Sequence, residues 1–405
     1  MKKRAVLSRS VLMAAGILAS GWMAPHAAAQ ERVVKIGGFG TKTGVLQAFG
    51  ENSEAALQAA AAIINRAGGV RLADGARAKM VVEYRDDKCD PAQGVAILKS
   101  YADADWLATV GTTCSSVLEP VFKSLQRRAD DSSDQGVRIP IFADVAMKTG
   151  LAEISQWSFR NIPDEVQMYD ALWQWMKVNH PDLKTVYGGV EENFVHSKQT
   201  WYNIIKERAK LAGYDVKGES KWLVDDVDFV TKVAEIKASN ADVVVISAHP
   251  FTACGVLREM ERAGVKPRAI VGLTSVTTPE TMEKCGAQAA GMVVPTSFAP
   301  INEKANAAAA ATAKFRGYAD LHSMAAWENI FALKQVMESE GILARPDSVQ
   351  QDREKIRSGL ARLTSMDGLL GEISRTPERE SKKKFVLVEA RNGAWSVVDA
   401  RQAGR

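Results

Sequence analysis

Two stretches hold the side chains best suited to chemistry. The acidic run Asp86-Asp87-Lys88-Cys89-Asp90-Pro91 has the carboxylates of a calcium loop, but neither the glycine nor the distal glutamate of an EF-hand. It reads instead as a strand-to-helix turn, with Asp90 as N-cap and Pro91 in the first helical position. The second stretch, Gly111-Thr112-Thr113-Cys114-Ser115-Ser116, also stands where a strand should end and a helix begin. Unpaired backbone N–H groups and the positive end of a helix dipole converge at such a junction, and the hydroxyls add donors. A carboxylate is the natural guest. Ser116 also suits the N-cap, with Glu119 completing a capping box, which leaves Ser115 to face a ligand.

Catalytic signatures are absent: the chain has no G-x-S-x-G elbow, no Walker sequence and no H-E-x-x-H. Gly38-Phe39-Gly40 followed by Gly44 is spaced one residue too far for a dinucleotide fingerprint. His180, His196, His249 and His322 are the histidines beyond the first thirty residues, and no two share ligand spacing on one expected helix. Cys89 and Cys114 have neither a C-x-x-C partner nor a nearby histidine, which argues against zinc. With Cys254 and Cys285 they make an even set that permits disulfides, in any of three pairings. The expectation is a chain without cofactor, metal or catalytic residues, and not an enzyme.

The elements that position these residues alternate. Val33 to Gly38 reads as a strand, Glu51 to Arg66 as a helix and Met80 to Tyr84 as a strand. A helix from Pro91, a strand at Leu107 to Gly111, a helix from Ser116 and a strand at Ile139 to Phe142 continue the rhythm. A second series has strands at Thr185 to Gly189, Asp242 to Ser247 and Ala269 to Leu273. A mostly helical stretch, Glu303 to Leu363, follows, and strand-like runs at Lys384 to Glu389 and Trp395 to Val398 close the chain. Repeated strand–helix units imply α/β lobes built on doubly wound parallel sheets.

Lys2, Lys3, Arg4 and Arg9 precede an apolar run, Val11 to Ala19, and then Ala27-Ala28-Ala29. That is the layout of a secretory signal peptide over residues 1–29, with export and cleavage expected. Its loss leaves 48 basic against 48 acidic residues, so no nucleic-acid or anionic-membrane partner is expected. About 375 residues at 46% apolar exceed what one core usually holds, which again implies two lobes.

In Thr43-Gly44, Phe49-Gly50, Ile64 to Val70, Asp86 to Pro91, Gly111 to Ser116, Phe159-Arg160 and Asp242 to Arg258, the chain resembles the periplasmic leucine/isoleucine/valine-binding family. Such proteins capture solute for an ABC transporter. The resemblance implies a type I periplasmic-binding fold with three hinge crossovers, lobes over 30–161 with 296–367 and over 162–295 with 368–405, and a Cys89–Cys114 disulfide. Cys254 and Cys285 lie outside the pattern; buried thiols are expected there, with a second bridge as the alternative.

The resemblance also carries over a ligand set. Carboxylate contacts fall on Ser115, with Ser116 beside it, and on Ala143-Asp144-Val145; aromatic walls fall on Phe49 and Phe194; the ammonium side falls on His249 and Thr274. The family usually has tyrosine and glutamate at the last two positions, and a threonine where Val145 stands. A leucine-like ligand is therefore in question unless Asp144, Glu191 or Glu192 supplies the missing charge. Without it the pocket suits a carboxylic acid, an amide or an alcohol. A membrane permease is the implied partner of a monomeric protein; a ligand-sensing or scavenging role beside a receptor or an enzyme is the alternative.

Overall fold

The computed structural model describes residues 32–143 and 150–400. The expected leader and Val145 lie outside them. The first lobe begins with β1 (Val33–Gly40), α1 (Gln47–Arg66), β2 (Val70–Arg71), β3 (Arg77–Asp86), α2 (Pro91–Ala102), β4 (Ala108–Gly111), α3 (Ser115–Lys123), β5 (Ile141–Ala143) and β6 (Ser158–Arg160). Its sheet runs β2-β3-β1-β4-β5-β6, parallel except at the β2–β3 edge.

The second lobe contains α4 (Glu165–Asn179), β7 (Thr185–Glu191), α5 (Val195–Thr200), α6 (Lys206–Leu211), β8 (Asp215–Trp222), α7 (Val230–Ser239), β9 (Val243–Ser247), α8 (Pro250–Arg262), β10 (Ala269–Gly272), α9 (Pro279–Cys285) and β11 (Met292–Thr296). The chain then returns to the first lobe through α10 (Glu303–Ala313), α11 (Leu321–Glu340) and α12 (Val349–Arg362). A small antiparallel sheet follows, of β12 (Ser365–Gly368), β13 (Gly371–Arg375) and β14 (Ser381–Lys382). Finally β15 (Val386–Arg391) and β16 (Ala394–Asp399) add antiparallel strands to the second sheet, β16-β15-β11-β10-β9-β7-β8.

Local chemistry accounts for much of this. The Asp90 carboxylate accepts the Gln93 N–H at 2.7 Å and Pro91 opens α2, as the acidic run predicted. Central strand β9 is apolar on both faces, Val243 to Ile246 being buried throughout, because helices cover both sides of the parallel sheet. Each sheet has a separate apolar cluster on either face. Alanines 55, 56, 59 and 60 let α1 pack closely on α11.

The chain crosses between lobes after β6, after β11 and after β14; the last crossing follows Lys382 instead of the expected 367/368, because β13 and β14 extend the antiparallel sheet that β12 begins. The crossings converge on a buried ion pair: Glu328 of α11 binds the Lys383 ammonium and accepts hydrogen bonds from Asn161 Nδ2 (3.3 Å) and Leu369 N (2.7 Å). First and third crossings are thus tied to one carboxylate.

Cys89 and Cys114 are bridged, with Cα atoms 5.7 Å apart. The buried-thiol expectation for Cys254 and Cys285 is corrected, since they form a second bridge with Cα atoms 4.7 Å apart. Helices α8 and α9 pack against each other and bring the two positions within reach, a long-range consequence that spacing alone does not reveal. Cys254→Ala/Cys285→Ala should lower unfolding free energy by about 3 kcal/mol in urea titrations, with no loss of secondary structure by circular dichroism.

Candidate functional site

Strand order reverses once in each sheet, between β1 and β4 in the first and between β7 and β9 in the second. Loops leaving adjacent strands at such a reversal diverge to opposite faces and open a crevice beyond the carboxyl ends. One cavity of about 20 Å³ is lined from both crevices. Leu46 and Phe49 follow β1, Thr113 and Ser115 follow β4, and His322 projects from α11. Across the cleft, Phe194 and His196 follow β7, His249 follows β9 and Ser275 follows β10.

The first-lobe wall is held by contacts that leave little slack. A Cβ on Gly50 would strike the Thr41 carbonyl, so glycine there lets the first turn of α1 lie against the loop and sets Phe49. Thr41 N donates to Thr113 Oγ1 at 3.2 Å. Asp87 is fully buried; it accepts the Thr112 hydroxyl and, at 2.8 Å, the Cys89 N–H. Burial dominates and pushes its carboxyl above the usual range. With the Cys89–Cys114 bridge, these contacts fix the start of α3.

Of the expected ligand residues, Phe49, Ser115, Phe194 and His249 line the cavity. Ser116 does not: the N-cap is Cys114, without a side-chain cap, so the helix starts ahead of the expected capping box. Ser116 Oγ lies instead 3.8 Å from Cys89 Sγ. Ala143 ends β5, where its carbonyl accepts Asn329 Nδ2 at 3.1 Å. Thr274 points away into a buried network. Asp144 and Val145 lie outside the described residues.

Two buried carboxylates support the second-lobe wall. Glu191, at the end of β7, accepts from His249 N (3.0 Å) and the Thr252 hydroxyl and lies 2.5 Å from His249 Nδ1. Glu165, at the start of α4, lies 3.0 Å from His196 Nε2 and accepts hydroxyls from Thr200 (2.8 Å) and Thr274 (2.7 Å). Burial alone would raise both carboxyls. The facing histidine and the hydrogen bonds outweigh it and hold each below its ordinary value. Thr274, expected to face an ammonium, therefore serves Glu165. Glu192 is engaged at the surface by Lys198 at 2.7 Å.

Among the described residues, then, no carboxylate lines the cavity. Three imidazoles and two phenyl rings do: Phe194 meets His249 edge-on at 4.3 Å between centroids, and Phe49 meets His322 at 4.7 Å. Leu46, Thr113, His196, Ser275 and His322 were not picked out by sequence as ligand contacts. His322 was visible as a histidine, but only the fold brings α11 to the cleft.

The paired glutamates make stability pH-dependent. Because their folded pKa values are depressed, their contribution is complete above the ordinary value near 4.5 and is lost as pH falls through the depressed values. Glu191→Gln should cost about 3 kcal/mol in chemical denaturation at pH 7, and the gap from wild type should narrow steadily below pH 4.5.

A family model described as periplasmic binding protein matches residues 33–394. The Leu/Ile/Val-binding protein of Citrobacter freundii is 24% identical over 272 residues, 64% of this chain and 66% of that one. An amino acid binding protein of Pseudomonas aeruginosa is 26% identical over 266 residues, 65% of each. The chain thus spans just under two thirds of the length of these relatives. Similar in fold are LivJ of Streptococcus pneumoniae in complex with isoleucine (TM-score 0.76, 18% identity, 91% of this chain and 100% of that one) and a solute binding protein of R. palustris in complex with 4-hydroxybenzoate (0.75, 18%, 92% and 97%). With a match reaching from β1 to β16, the chain belongs to the periplasmic binding protein family.

Proposed function

We propose that the protein is the exported, periplasmic solute-capturing component of an ABC transporter, and that its solute is a small monocarboxylate without an ammonium group. The observation that carries the second part is the engagement of Glu165 and Glu191 by His196, His249 and three threonines. An ammonium in the cavity would meet imidazoles and hydroxyls, and a buried charge without an opposite partner costs several kcal/mol, equivalent to orders of magnitude in affinity.

The carboxylate end is supported by α3, whose first N–H groups have no intrahelical partner and which places Ser115 at the cavity. Capture needs no covalent step. A solute touching Phe49 and Ser115 on one lobe and Phe194 and His249 on the other gains its full contacts only when the lobes are together, so binding shifts the population toward that state. The shifted state is what a membrane permease would read, with the protein acting as a monomer. The two relatives in fold, complexed with isoleucine and with 4-hydroxybenzoate, span both ligand chemistries.

A thermal-shift screen checks this. The panel is branched-chain amino acids, their deaminated acids, benzoate, 4-hydroxybenzoate, short amides and short alcohols. A ligand at a hundred times its Kd stabilises the native state by about 2.7 kcal/mol. Deaminated acids or benzoates should raise Tm and amino acids should not; a shift confined to amino acids would mean that the ammonium finds an acidic partner after all.

A further inference from the structure

His322 is the second residue of α11 and is 2% exposed, yet neither ring nitrogen has a hydrogen-bond partner. The ring lines the cavity, edge-on to Phe49. Ser275, on the opposite lobe, is 1% exposed; its hydroxyl also lacks a partner and lines the same cavity. Buried polar groups are nearly always paired, because an unpaired one is destabilising. Two such groups, one from each lobe, line the same cavity.

The chemistry narrows the guest. Burial, reinforced by the charges of His196 and His249, holds the His322 imidazole well below its ordinary pKa, so it is neutral. A neutral imidazole has one donor and one acceptor nitrogen. Ammonium only donates. Carboxylate only accepts. A hydroxyl does both, so it can pair with a His322 nitrogen in either tautomer.

We infer that the solute carries a hydroxyl, and that His322 and Ser275 read it across the closing cleft. The inference rests on the cavity being the solute site and adds to it what distinguishes one small acid from another. His322 and Ser275 are specificity-determining residues that complete their hydrogen bonds only with the right ligand. A site built this way rejects an analogue lacking the group strongly, because its own polar atoms are then left unpaired.

The test is isothermal calorimetry at pH 7 on two matched frames. One is butanoate against its 2-, 3- and 4-hydroxy and 2-, 3- and 4-amino derivatives; the other is benzoate against 4-hydroxybenzoate and 4-aminobenzoate. At least one hydroxy compound should bind on the order of a hundredfold more tightly than the parent acid and the amino analogue. His322→Phe, which keeps the ring packed on Phe49, should abolish that preference while raising the ligand-free Tm, because it removes a buried orphan. Ser275→Ala should reduce the preference, and His322→Gln, which retains a donor and an acceptor, should keep part of it. Binding of either frame with no hydroxyl preference, or a preference unchanged in His322→Phe and Ser275→Ala, overturns this inference and leaves the carboxylate site standing. Failure of every compound in both frames to bind overturns both.

Discussion

A carboxylate buried in protein must find its positive and hydrogen-bonding partners locally, and that constraint organises the cleft. Glu165 and Glu191 sit at the roots of the second-lobe wall with 1% and 0% exposure. Each has solved the problem in the same way, by holding a histidine and at least one threonine hydroxyl. The arrangement orients the His196 and His249 rings toward the cavity and uses up the negative charge that an amino-acid ligand would need. On the function proposed above, packing of the wall and choice of ligand become one problem with one solution.

The rest of the fold delivers these groups to one place. Two sheets reverse their strand order, and the loops after β1 and β4 meet those after β7, β9 and β10. The Cys89–Cys114 bridge and the Asp87 contacts stiffen the first-lobe side, while Glu328 and Lys383 knot the crossings that any relative movement of the lobes must bend. On the function proposed above, rigid walls on a hinged frame would let a small solute decide between open and closed populations.

How much of this was legible in the sequence differs by residue. The alternation of β-branched runs and helical stretches was enough for the two-sheet architecture, and Asp90-Pro91 marked a helix start by purely local chemistry. Short or half-polar strands left no such signal: β6 has three residues and β8, Asp-Val-Lys-Gly-Glu-Ser-Lys-Trp, is mostly polar. Phe49, Ser115, Phe194 and His249, expected through resemblance, follow strand ends and line the cavity. Thr274 and Ser116 were misread because their side chains turn to partners far away in sequence, Glu165 and Cys89. His322 and Ser275 escaped notice because an orphaned nitrogen or hydroxyl is a property of three-dimensional packing.

The central claim is that, among the described residues, the buried acids behind the cleft, Glu165 and Glu191, are engaged by histidine and threonine and offer nothing to an ammonium. The most direct measurement is the ratio of calorimetric affinities at pH 7 for 4-methylpentanoate and leucine, which differ only by the amino group. A ratio well above one in favour of the deaminated acid is what the paired Glu165 and Glu191 predict. Leucine binding more tightly than 4-methylpentanoate would contradict the account.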